Sequence, residues 1–120
     1  MKKKTRNFLE ETLEVLKAHG KTLDDIEWIG GFDFCISLAQ FKELANVEYN
    51  PGYGHQEVAK DIQLVGKDFW IERREYDGSE WWEYKAFPRK PAETRSVSRI
   101  VGGYWDTLRR MNEENEDEME

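Results

Sequence analysis

Apolar residues Phe8, Leu9, Leu13, Val15 and Leu16 recur at helical spacing and predict an amphipathic helix over 7–19. Glu10, Glu11, Glu14 and Lys17 fall mainly on its other side. Asn7 followed by Glu10 reads as a capping-box-like start, and Gly20 as a left-handed stop. The run 26–29 predicts a short strand, Gly30-Gly31 breaks it, and 32–36 resumes as a second extended piece. Ser37, with Gln40 three residues on, opens another helix, whose stripe of Leu38, Phe41, Leu44 and Ala45 carries it to about Val47.

The second half reads as a meander, with strands at 61–65, 69–76 and 80–87. Gly66-Lys67-Asp68 and Asp77-Gly78 supply the turns. Residues 92–101 read as an edge strand or a linker. A last helix is predicted from Tyr104 to about Asn112, with Trp105, Leu108 and Met111 on one side. The acidic run 113–120 is expected to be disordered. The chain is thus expected to be a single α+β domain over 1–112: a three- to four-stranded antiparallel β-meander packed with N-terminal, central and C-terminal helices.

The hairpin at Asp77-Gly78 allows two registers. A two-residue loop sets Glu72 opposite Glu83, which like charges disfavour. A three-residue loop with a bulge at Gly78 pairs Arg73 with Glu83, Phe69 with Phe87, and Arg74 with Trp82, and is the register expected. In either register Trp70, Trp82 and Tyr84 are assigned to one face, and Phe69, Ile71, Trp81 and Phe87 to the other. One face must receive the helices. The second is either packed as well, by the C-terminal helix, or left partly open as a binding surface.

Charge narrows the partners. The 120 residues carry 25 acidic against 18 basic side chains, a net charge of −7. Nucleic-acid binders have the opposite balance, so nucleic acid is disfavoured as a partner. Excess acid promotes solubility and attracts basic surfaces. Aromatics make up 13% of the chain, enough for a compact core. No apolar run reaches membrane-spanning length, and Met1-Lys2-Lys3-Lys4 leads into a charged helix, so no membrane partner and a cytoplasmic location are expected.

Little in the chain resembles a reactive centre. The single cysteine, Cys35, lies between Phe34 and Ile36 and is expected to be a small buried hydrophobe. With only His19 and His55 beside it, no metal-ligand spacing appears, and no catalytic residue, metal or cofactor is expected. Gly52-Tyr53-Gly54-His55 lacks the Lys-Ser/Thr of a phosphate loop and is read as a turn. The best polar cluster is Tyr53, His55, Gln56 and Glu57, in the irregular stretch 48–56. Trp70, Arg73, Arg74, Trp81 and Trp82 form the other candidate binding set. They suit a protein partner or a single nucleic-acid strand, but interleaved glutamates nearly cancel their charge.

The stretch Tyr53-Gly54-His55-Gln56-Glu57-Val58-Ala59-Lys60-Asp61, and more strongly Trp70 through Tyr76-Asp77-Gly78-Ser79-Glu80-Trp81-Trp82 to Lys85, resembles a group of small uncharacterised proteins of phages and prophages of Gram-positive bacteria. The likeness runs from the first helix to about Pro88, with a weaker echo at Trp105-Asp106-Thr107-Leu108. It implies an accessory role in the cytoplasm of a bacterial host and transfers no catalytic residue. The expected function is a non-enzymatic interaction module, monomeric or homodimeric, that binds a host or phage protein. One specific form is inhibition of a host nucleic-acid-handling or defence protein. The alternatives are a small-ligand binder or enzyme using the 49–57 loop, and a single-strand binder using the aromatic sheet.

Overall fold

The computed structural model describes residues 5–52 and 54–113. They fall into two compact units that divide between Pro88 and Arg89. The first contains β1 (Arg6–Asn7), α1 (Phe8–Ala18), a 3-10 turn (Leu23–Asp25), β2 (Ile26–Gly30), β3 (Cys35–Ile36), α2 (Leu38–Ala45), β4 (Glu48–Tyr49), β5 (Gln63–Gly66), β6 (Phe69–Tyr76) and β7 (Ser79–Ala86). The second contains α3 (Leu108–Asn112). The class is α+β with antiparallel pairing. The main sheet has five strands in the order β3-β2-β5-β6-β7, more than the three or four expected, and β1 and β4 form a separate pair.

The local start and stop signals act as the sequence suggests. The Asn7 side chain accepts the Glu10 N–H at 2.9 Å and opens α1. Gly20, at φ 72°, turns the chain out of it while the Lys21 N–H returns to the Leu16 carbonyl at 2.8 Å. Ser37 Oγ accepts the Gln40 N–H at 3.0 Å and opens α2. That helix ends at Ala45, short of Val47, because the Val47 carbonyl accepts the Phe8 N–H as the chain turns into β4.

Both helices pack on one face of the sheet. Phe8, Leu16, Phe41 and Ala45 meet Ile29, Leu64, Phe69, Ile71 and Trp82 in one buried cluster. Each large side chain so buried contributes roughly 1.5–3 kcal/mol. Phe8 stacks on Trp82, with centroids 5.4 Å apart, and meets Tyr49 edge-on at 5.5 Å.

The hairpin register is the two-residue one, not the three-residue loop. Tyr76 pairs with Ser79, Arg73 with Trp82, and Glu72 with Glu83. Asp77 (φ 51°) and Gly78 (φ 85°) are both left-handed, the combination whose twist matches the flanking strands. The like-charge conflict is relieved locally, because Arg74 Nε lies 2.9 Å from Glu83 and Lys85 Nζ lies 3.6 Å from Glu72. The face assignment is corrected as well. Phe69, Ile71, Trp82 and Tyr84 turn toward the helices, whereas Trp70 and Trp81 share the opposite face.

Two further expectations are corrected. Cys35 is exposed, because alternation along β3 directs Ile36 inward instead. The last helix starts at Leu108, not Tyr104. Thr107 accepts the Arg110 N–H at 3.1 Å and starts it there. Tyr104 and Trp105 have φ of 48° and 77°, outside a right-handed helix, and both rings are exposed. Residues 92–103 contain no regular strand or helix. In this unit Asn112 accepts the Ser98 and Arg99 N–H groups at 3.1 and 3.2 Å and donates to the Arg99 carbonyl at 2.9 Å. Of the acidic run, 114–120 lies outside the described residues.

Gly66 ends β5 directly beneath the Phe69 ring, and a Cβ there would collide with that buried ring. Gly66→Ala is expected to lower unfolding free energy by about 1–3 kcal/mol in urea titration, with the denaturant slope unchanged.

Candidate functional site

Two of the candidate binding residues, Arg73 and Trp82, are not at the surface. Arg73 follows Phe69 and Ile71 on the inward face of β6, so alternation carries its guanidinium into the core, where its side chain has 0% exposure. Nη2 donates to Glu80 Oε1 at 2.8 Å and to the Tyr49 hydroxyl at 3.2 Å. Nε and Nη1 have no hydrogen-bond acceptor among the described residues. They face aromatic rings instead: the guanidinium carbon lies 4.9 Å from the Trp82 centroid, 5.1 Å from Phe8 and 5.8 Å from Tyr49. The cation is held by π faces, one carboxylate and the Tyr49 hydroxyl.

The network extends outward through Tyr49, whose hydroxyl donates to Glu11. Glu11 is paired at 3.3 Å with Arg6, which also reaches Glu14 at 2.7 Å. Burial and the Glu11 carboxylate push the Tyr49 hydroxyl from its ordinary 10.0 up to about 12, against an opposing pull from Arg73. Trp82 is satisfied separately. Its Nε1 donates to Thr12 Oγ1 at 2.9 Å, and Thr12 donates to the Phe8 carbonyl at 2.8 Å.

Glu80 also fastens the loop that contains the other candidate cluster. Its two carboxylate oxygens accept the N–H groups of Glu57 at 2.6 Å and Val58 at 3.3 Å. Its own N–H donates to the Pro51 carbonyl at 2.7 Å. Glu57 accepts the Asn50 N–H at 3.1 Å, which ties the loop across its base. His55 and Glu57 are exposed and Gln56 is half-buried, while Tyr53 lies outside the described residues. The loop is thus anchored through its backbone N–H groups and the Glu57 carboxylate, with His55 exposed on it.

Trp70, Arg74 and Trp81 lie on the sheet face opposite the helices. There the pairing aligns Trp28, Val65, Trp70 and Lys85 in one row across four strands. Phe87 packs against Trp70 with centroids 5.2 Å apart, and Trp81 stands opposite Arg74. Trp28, Trp81 and Phe87 keep 38%, 41% and 62% of their surface exposed. The charges on this face are consumed among neighbours: Glu72 takes the Trp70 Nε1 at 2.6 Å as well as Lys85, and Glu83 takes Arg74. What the face offers is aromatic surface with little unpaired charge. Trp28, Val65 and Phe87 were absent from the sequence-predicted set. The alternation in β2 and β5, aligned by register, is the signal that places the first two.

Other surface features are simpler. Thr5, Asn7, Glu10, Glu14 and Glu48 line a small polar cleft of about 260 Å³ around Arg6. In the second unit, an open cleft of about 680 Å³ runs between 90–97 and α3. Among the described residues no three His, Cys, Asp or Glu side chains converge as a metal site, and no helix is long and apolar enough to cross a membrane. No protein-family model matches the chain, and no curated protein or solved structure matches it.

The raised Tyr49 hydroxyl makes stability fall at high pH. The folded state holds this proton more tightly than the unfolded chain, so its contribution is complete below pH 10 and is lost as pH rises toward 12. The slope in that window is expected to approach 1.4 kcal/mol per pH unit at most, about one proton's worth. Tyr49→Phe should flatten it in urea titrations at successive pH values. Glu80→Ala leaves the Arg73 cation unpaired and releases the loop, and is expected to cost about 3–5 kcal/mol by the same measurement.

Proposed function

We propose that the chain is a non-enzymatic protein-interaction module, of the phage- or prophage-accessory kind its sequence resembles. Its contact surface is the open face of the sheet. The observation that carries this reading is the row of Trp28, Val65 and Trp70 flanked by Phe87 and Trp81, in which Trp28, Trp81 and Phe87 are exposed and Val65 and Trp70 half-buried, on a sheet whose other face is filled by α1 and α2. Large aromatics on a rigid platform are the residues that dominate protein interfaces, because they bury much area for little lost freedom.

The partner proposed is a basic host protein that handles nucleic acid, such as a defence component. Support comes from the acid excess, 25 against 18, which attracts a basic surface over a distance, while the aromatic face supplies short-range affinity. Direct strand binding is less well supported: Arg73 is buried, and Arg74 and Lys85 are paired to glutamates, so the face lacks free cations for phosphate.

Trp28→Ala/Trp81→Ala removes two exposed rings and should leave the circular dichroism spectrum and cooperative melting intact. Affinity for the basic partner captured from host lysate at low salt is expected to fall by about 2 kcal/mol or more, roughly thirtyfold. Equal capture by both proteins, or no capture at low salt, would overturn the reading.

A further inference from the structure

The sheet ends on β7, and its outer edge is open over a short, self-complementary stretch. Odd-numbered residues of β7 direct their backbone groups to β6, as the Phe87 N–H bond to the Asp68 carbonyl at 2.9 Å shows. Even-numbered residues therefore direct theirs outward. The first of these, Glu80, is already taken by Pro51 at 2.7 Å. Trp82, Tyr84 and Ala86 have no backbone partner outward among the described residues, and Pro88 beyond them has no N–H to offer. The open stretch is thus bounded at both ends and centred on Tyr84.

We propose that a second copy of this chain pairs along that edge, antiparallel, about a two-fold axis at Tyr84. In this register the two Tyr84 residues exchange backbone hydrogen bonds, and Trp82 exchanges them with Ala86 of the second copy. The side chains of the open face then match. Glu83 falls opposite Lys85 of the second copy, and Lys85 opposite its Glu83, extending the Glu72–Lys85 and Arg74–Glu83 contacts into one alternating ladder. Trp81 falls opposite Phe87 of the second copy. The neighbouring two-fold registers fail on charge or availability. Centring on Glu83 opposes it to itself, and centring on Trp82 requires the occupied Glu80 edge. An exposed edge strand without proline, bulge or inward charge over these residues is otherwise an aggregation hazard, and closed pairing removes it. The two aromatic faces become one continuous surface. This assembly goes beyond the interaction role proposed above and stands or falls independently of it.

Analytical ultracentrifugation of the full chain is expected to show a reversible monomer–dimer equilibrium. Lys85→Glu and Glu83→Lys, each on the solvent side of the strand, place like charges opposite each other and should each weaken dimerisation by about tenfold or more. An equimolar mixture of the two variants should dimerise again, because opposite charges then meet. Ala86→Pro removes an outward N–H while sparing the β6 ladder, and should yield a monomer with cooperative melting. A wild-type chain that stays monomeric into the millimolar range would overturn the proposal. So would variants that dimerise like wild type, or a mixture that does not regain pairing.

Discussion

A guanidinium buried among rings governs the arrangement of this protein. Arg73 cannot be placed in the core without Glu80 beside it and the faces of Trp82, Phe8 and Tyr49 around it. Removing such a cation from water is expensive, and a hydrophobic replacement of equal shape is often no less stable. What the pair supplies is uniqueness. Of the two registers the turn allows, the two-residue hairpin puts Glu80 and Trp82 on the same side of the sheet as Arg73. A slip of one position would turn both outward, setting Glu83 opposite Arg73 but removing the Trp82 face and the Glu80 anchor of the loop. The like-charged Glu72 and Glu83 are tolerated for the sake of that arrangement, and their exposed partners soften the conflict.

The same constraint decides which residues face away from the helices. Once Arg73 and Trp82 are inward, Trp70 and Trp81 must be outward, and the rows set by β2 and β5 bring Trp28 and Val65 alongside. The charged groups on that side neutralise one another in the plane of the sheet. The exposed surface of that face is made largely of the rings of Trp28, Trp81 and Phe87. In the role proposed, such a face would select by shape at close range, with net charge acting at a distance.

Local signals made much of the fold legible from sequence. Asn7 and Ser37 start their helices as read, Gly20 stops one, and the strand at 69–76 lies where alternation placed it. These features depend on neighbours within a few positions. Register does not. Two-fold periodicity says which residues share a side within one strand, but the relation between strands is set by long-range burial, here of Arg73 against Glu80. The misplaced faces, and the reading of Arg73 and Trp82 as surface residues, follow from that one missing relation. The β1–β4 pair was invisible because two-residue strands carry no pattern. Trp105 was assigned to a helix because its spacing to Leu108 is helical, although the nearer Thr107 determines where that helix begins.

Glu80 grips the 50–58 segment by amide hydrogens that every residue except proline possesses. That hold asks nothing of the side chain at position 55, which is exposed, whereas Glu57 ties the loop to Asn50 and Val58 packs against the core. A segment secured in this way can change at that outward position while keeping its path. It is a mount on which new contacts can be tried without disturbing the scaffold beneath.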